Sequence, residues 1–266
     1  MSDSTDKSSL FSRIFSIARN TFREAIRDRI LYNLVLFVLL ITACAVLLGE
    51  LTDGQEARTI VNLGTNAILL FGVFISIFVG VGLVSKEIEK KTVYAIFAKP
   101  VRRGEFIVGK YLGLSLTLLV NTLVMAIGVA LALLYVGGGS LISAAMGAVS
   151  LIYLELLIVI GVAILFSSFS SPALSALLTF FVFLIGHLSS SLRDLGESLG
   201  SAVTSVVLTS IYYLLPNLSL FSFRTEAANG MVANAQMIAG GALYAGAYVA
   251  VLLSLTVVIF SRRNFK

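Results

Sequence analysis

Long apolar runs, separated by short polar or glycine-rich stretches, account for most of the chain. Six of these runs are long enough to cross a bilayer, because an α-helix needs about 20 apolar residues to span the hydrocarbon core. The fifth run is near the short limit. The pattern therefore predicts an all-α polytopic membrane protein with six transmembrane helices, at about residues 30–49, 63–85, 108–136, 141–167, 172–190 and 238–260.

Residues 10–29, ahead of the first predicted span, show an amphipathic pattern. Apolar residues recur at near-helical spacing, and arginines lie mainly between them. A helix of this kind lies along a membrane surface, in contact with lipid. We therefore predict an amphipathic amino-terminal helix on the membrane. A soluble amphipathic helix is the weaker alternative, because a span follows immediately.

The composition favours one membrane domain over residues 1–266. Apolar residues make up 58% of the sequence and charged residues only 12%, about half the share that is usual in soluble domains. The formal net charge is +5. The basic residues cluster beside the apolar runs, which is typical of topology signals and lipid contacts rather than of nucleic-acid binding.

The distribution of basic residues also predicts the topology. All but three of the 19 lysines and arginines fall in the amino-terminal segment, the 86–110 connection or the carboxyl-terminal tail. The positive-inside rule places these regions in the cytoplasm, so we expect a multi-pass protein of the inner (plasma) membrane with both termini cytoplasmic. The apolar stretch 203–223 is then not a seventh span. We predict that residues 191–236 carry re-entrant or interfacial helices on the outer side.

Residues 86–104 concentrate charge between the second and third predicted spans. This segment holds six basic residues together with Glu87 and Glu89, and its apolar second half ends at Pro100. A proline stops a helix because the residue before it is disfavoured in the helical region. The segment is therefore predicted to be a short helix at the membrane surface, where the protein meets a cytoplasmic partner.

Glu155 is the only acidic residue inside a predicted span. An ionisable group in a bilayer is costly, so this side chain should face the bundle interior or water. It is either a gate, substrate or proton site, or a structural carboxyl group hydrogen-bonded to neighbouring helices. On depth alone, Asn121 and Thr117 are its plausible partners. The single histidine, His187, is expected to be packed or interfacial.

Motifs for catalysis and metal binding were not found in the sequence. Residues 104–110 match the first seven places of a phosphate-binding loop, but Tyr111 stands where a serine or threonine should hold magnesium. One histidine and one cysteine cannot assemble most hydrolytic or metal sites. We therefore expect no enzyme activity, no metal and no cofactor in this chain, and a membrane enzyme is the least favoured class.

Small residues recur four apart in three of the predicted spans. This spacing lets helices approach closely, either at a dimer interface or within one chain. The sets are Gly72, Ser76 and Gly80; Gly109 and Gly113; and Gly241 and Ala245.

The chain resembles the permease subunits of ABC-2 type exporters over nearly its whole length. The shared features are the amphipathic amino-terminal helix, six spans, the charged second connection and the outer helices before the last span. The family's sequence marker is matched, except that Lys91 replaces a usual glycine, by Glu87, Glu89, Thr92, Ala98-Lys99-Pro100-Val101-Arg102-Arg103 and Gly109-Lys110. The short sequence Leu215-Pro216-Asn217 resembles that of the subgroup that includes the nitrous-oxide-reductase maturation permease.

The resemblance implies a partner and a mechanism. Two permease chains would form a dimer, and each would dock a separate cytoplasmic ATPase that binds ATP and magnesium. The segment 86–104 would be the coupling helix. The residues that would couple to the ATPase are Glu87, Glu89, Thr92, Pro100, Arg102, Arg103 and Lys110.

One functional alternative stays open at this point. A mechanical coupler would transmit ATPase motion to an extracytoplasmic partner protein without carrying a solute. If the chain is a transporter, its few polar span residues favour a lipid-like, amphipathic or peptide cargo.

Overall fold

The computed structural model describes residues 3–25, 36–37, 40, 54–89, 103–189, 210, 212 and 214–262. In this part of the chain every regular element is helical. The α-helices are α1 (Asp3–Ala25), α2 (Glu56–Glu89), α3 (Arg103–Tyr135), α4 (Ile142–Ser167), α5 (Pro172–His187), α6 (Arg224–Ala228) and α7 (Ala235–Arg262), and 3-10 turns occupy Gly139–Leu141 and Leu218–Phe221.

Four of the described helices are long and apolar enough to cross a membrane. These candidate spans correspond to the second, third, fourth and sixth predicted ones. The helix at the fifth predicted span, α5, has 16 residues and would reach only about 24 Å. The first predicted span, 30–49, lies outside the described residues apart from 36–37 and 40. The four candidates are Glu56–Gly82, Arg103–Tyr135, Gly139–Ser167 and Ala235–Arg262.

The centre of the bundle is α4, which packs against α2, α3, α5 and α7. Small residues allow the close contact of α2 with α4. A Cβ built on Gly72 would collide with Leu156, and one on Gly80 would lie 3.0 Å from the Cβ of Ala163. The spaced small residues of α2 therefore serve contact within the chain.

Tight turns make α3, α4 and α5 neighbours in sequence and in space, as the short connections predict. The turn between α3 and α4 contains Gly137, whose φ of 73° is accessible to glycine at little cost. Between α4 and α5, Ser171 is the N-cap residue and Pro172 occupies the first turn of α5. Proline suits that position because its missing N–H has no helical partner there.

The two ends of the bundle differ in composition. One end carries α1, the start of α3 and the end of α7, with Arg13, Arg103, Lys110 and Arg262 among its residues. We call it the basic end. The opposite end holds the start of α2, the α3–α4 turn and the start of α7. The described helix α1 begins at Asp3, seven residues before the predicted start, and residues 26–29 lie outside the described part.

In the described part of 191–236, the stretch 214–223 packs against the end of α5 and against α7, and α6 packs against α2 and α4. The side-chain carbonyl of Asn217 accepts hydrogen bonds from Ser189 and Ser219, both at 2.6 Å, and its backbone N–H donates to the hydroxyl of Tyr244 at 2.9 Å. A Cβ on Gly186 would lie 2.8 Å from the carbonyl oxygen of Pro216. The Pro-Asn step is therefore anchored beside the carboxyl end of α5. Within the stretch 203–223, which is predicted to form these helices, residues 203–209, 211 and 213 lie outside the described residues.

Candidate functional site

Two of the predicted coupling residues have described side chains. Arg103 and Lys110 lie on the first turns of α3. Glu87 and Glu89 lie on the last turn of α2, whose backbone alone is described there, and Thr92, Pro100 and Arg102 fall outside the described residues. The segment 86–104 is therefore visible only at its two ends.

Arg103 joins the start of α3 to the end of α7. Its Nη1 donates hydrogen bonds to the backbone carbonyls of Phe260, at 3.0 Å, and Ser261, at 2.7 Å. The last carbonyls of a helix lack intrahelical donors and carry partial negative charge, so a guanidinium satisfies both needs. The rings of Phe106 and Phe260 stack nearby with centroids 6.2 Å apart. The end of the charged segment is thus attached to the last helix.

Glycines let α1 lie directly on α3. A Cβ on Gly109 would come within 2.7 Å of the Ile17 side chain, and one on Gly113 would come within 2.6 Å of the Ala18 carbonyl oxygen and of Thr21. The apolar face of the amphipathic helix is therefore at least partly turned towards α3. The spacing of Gly109 and Gly113 is therefore explained by a helix contact within one chain, that of α1 with α3.

Two ion pairs reinforce the contact of α1 with α3. Arg13 Nε lies 3.6 Å from Glu105 Oε2, and Lys110 Nζ lies 3.7 Å from Glu24 Oε2. Lys110 is only 2% exposed, and its ammonium lies 5.8 Å from the centre of the Phe106 ring. Taking an ammonium out of water is costly unless opposite charge compensates it. Lys110 is accordingly a buried residue of the α1–α3 contact.

Glu155 forms the second candidate site, in the middle of α4. Its side chain is fully buried, and the His187 ring lies beside it, with Nε2 3.4 Å from Glu155 Oε1. The expected partners bond elsewhere. The Asn121 amide donates to the Thr117 carbonyl, and the Thr117 hydroxyl donates to the Gly113 carbonyl, both at 2.9 Å.

Arg224 completes a three-residue cluster with Glu155 and His187. It is the first residue of α6, half-buried, and its charge acts on both other groups. His187 ends α5, with its ring centroid 4.7 Å from that of Phe183. The polar cluster therefore lies where α5 stops inside the bundle, beside the anchored segment around Pro216.

A depth count could have indicated the pairing of Glu155 with His187. The turn at 168–171 makes α4 and α5 antiparallel, and the two residues lie 13 and 16 positions from that turn. At 1.5 Å per residue these positions differ by only about 4.5 Å in depth. Arg224 offered no comparable signal, because its placement depends on the fold of 214–223. Among the described residues, no group of three histidine, cysteine or acidic side chains could hold a metal ion.

Comparison with protein families identifies the class of the chain. Residues 15–265 match the family model described as ABC-2 family transporter protein, so the chain belongs to that family. With its apolar helices, it is a multi-pass membrane protein and a permease subunit of an ABC transporter. Membrane proteins of this family normally pair with an ATPase subunit. Comparison with curated proteins gave no significant match.

Proposed function

We propose that this chain is the permease of an ABC exporter, driven by a separate cytoplasmic ATPase through the segment 86–104. The observation that carries the proposal is the attachment of Arg103, at the end of that segment, to the last turn of α7. A displacement of the segment would reach α3 and α7 together. The direction of transport rests on the resemblance to exporters alone.

The contact of α1 with α3 extends this connection. Because α1 is held by Arg13, Glu24 and the glycine contacts, it would move with the start of α3. Three helices at the basic end would then respond to the ATPase as one body. This arrangement requires the basic end to face the cytoplasm, which agrees with the positive-inside rule.

The assembled transporter would contain two permease chains and two ATPase chains in the inner membrane. The ATPase would bind ATP and magnesium, and this chain would supply the path of the cargo across the membrane. Glu155 lies at the centre of the bundle, where a polar group can face such a path. From the similarity of Leu215-Pro216-Asn217 to the nitrous-oxide-reductase maturation permease we propose that the chain belongs to that subgroup. The similarity does not identify the cargo.

Charge reversal at the end of the segment tests the coupling. We expect R102E/R103E, assembled with its ATPase in nanodiscs, to lose the control that the permease exerts on ATP hydrolysis, because the bonds from Arg103 to α7 are lost. The control is Arg262→Glu, which reverses a single charge at an exposed position of the same end. Wild-type activity of R102E/R103E in an intact complex would show that the coupling element lies elsewhere.

A mechanical coupler remains the second candidate. The anchoring of 214–223 on α5 and α7 favours it, because a firmly held segment can transmit force to a docked protein. Measuring ATP hydrolysis by the reconstituted complex separates the two functions. A transporter should respond to its cargo, whereas a coupler should respond only to its extracytoplasmic protein partner.

A further inference from the structure

The cluster of Glu155, His187 and Arg224 leaves its polar atoms unsatisfied. Both carboxylate oxygens of Glu155 and Nη1 of Arg224 are buried without a hydrogen-bond partner among the described residues, and the two ring nitrogens of His187 are buried with at most the Phe183 backbone as a partner. The three residues come from three separate elements, α4, α5 and α6. Buried polar groups are normally paired, so this concentration in one place requires a physical explanation.

A buried carboxylate can be compensated in two ways. An opposite charge can lie nearby, or the carboxyl group can bind a proton. Arg224 supplies the charge, and His187, 3.4 Å away, can share the proton. The carboxyl-terminal position of His187 in α5 also favours a cation there, because the end of a helix carries partial negative charge.

The burial of the site limits the ligand. None of the five atoms reaches solvent, so a proton, which needs no cavity of its own, suits the cluster better than a metal ion or a cargo group. Protonation of the pair makes the cluster more positive, which weakens the attraction between Glu155 and Arg224. The proton and Arg224 are therefore competing counter-charges for the same carboxylate.

We propose that Glu155 and His187 form a proton-binding site whose occupancy loosens the hold of Arg224 on the bundle. The proton comes from water and resides on Glu155 Oε1 or His187 Nε2, and no other bond is made or broken. Arg224 begins α6, which follows the anchored Pro-Asn segment directly. Proton binding would thereby favour release of the segment 214–228. The site does not depend on an ATPase or on the direction of transport.

Other charged groups lie on the elements packed around this site. Glu56 and Arg58 are at least 14 residues, or about 21 Å, along α2 from Gly72, which meets Leu156. Glu226 lies on α6 itself. The remaining described charged side chains on helices packed against α4 belong to the basic end and are Arg103, Glu105, Lys110 and Arg262.

Infrared difference spectroscopy tests the site directly. The full chain in lipid nanodiscs is titrated from high to low pH, and the carbonyl band of a protonated, buried carboxyl group is followed. We expect the band in the wild type and in the control Glu226→Gln. This control removes an acidic residue from α6, the short helix that also holds Arg224. Glu155→Gln should remove it. A band that survives in Glu155→Gln would overturn the proposal.

The competition with Arg224 has its own signature. Arg224→Gln removes the competing charge, so the band should appear at a midpoint higher by about one pH unit or more, since a nearby opposite charge lowers the pKa of a carboxyl group by about 1–3 units. Arg224→Lys keeps the charge and should titrate like the wild type, which separates charge from packing. His187→Gln should also shift the pH midpoint at which the band appears, because it removes the group that shares the proton with Glu155. Equal midpoints in wild type, Arg224→Gln and His187→Gln would show that Glu155 titrates alone, against the proposal.

Discussion

At the scale of single residues, buried ionisable side chains on α3 and α4 face ionisable side chains on other helices. Lys110 faces Glu24 on α1, and Glu155 faces His187 on α5. The sequence singled out both buried residues, because each was a charge beside or inside an apolar run. For Glu155 the depth count along α4 and α5 could indicate His187, whereas the pairing of Lys110 with Glu24 depends on how α1 lies on α3. Lys110 was predicted to couple to the ATPase, and that role stays a prediction.

A double-mutant cycle measures the link between Lys110 and Glu24. We expect Glu24→Gln and Lys110→Met to be non-additive, with a coupling free energy of about 0.5–1 kcal/mol, because Glu24 is partly exposed and solvent screens the pair. The measurement is thermal stability of the purified protein in detergent. Simple addition of the two effects would mean that the ion pair contributes nothing to the α1–α3 contact.

At the scale of helices, the apolar runs predicted the long elements well. The predicted spans 108–136 and 141–167 correspond to Arg103–Tyr135 and Ile142–Ser167. The predicted span 172–190 ends earlier, as a helix, at His187. The apolar pattern could not show this end, which lies where Gly186 packs closely against the distant Pro216 and Leu218.

The glycine contact between α1 and α3 gives the prediction at this scale. Gly113→Val should push α1 away and destabilise the protein by about 1–3 kcal/mol, the usual cost of overpacking. Gly246→Val is the matched control, since a Cβ at that position of α7 meets nothing within 4 Å. Thermal stability of the two variants should therefore differ. Equal stability would contradict the close approach of α1.

At the scale of the whole molecule, the apolar composition predicted a membrane protein and the sequence marker predicted its family. The match over residues 15–265 confirms the ABC-2 family. The count of six spans and the cytoplasmic termini remain predictions, because residues 41–53 and 90–102 are outside the described part. Orientation depends on the charge of connections relative to a membrane, which packing within the chain does not reveal.

Site-specific crosslinking tests the central claim, that the segment 86–104 is the contact with a cytoplasmic ATPase. The chain would carry Thr92→Cys in a Cys44→Ala background and be purified together with its partner ATPase. The control is Ser222→Cys, an exposed position in the anchored segment of the predicted outer side. The account predicts a crosslink to the ATPase from position 92 and none from position 222. A crosslink from position 222 alone would contradict the orientation and the coupling role together.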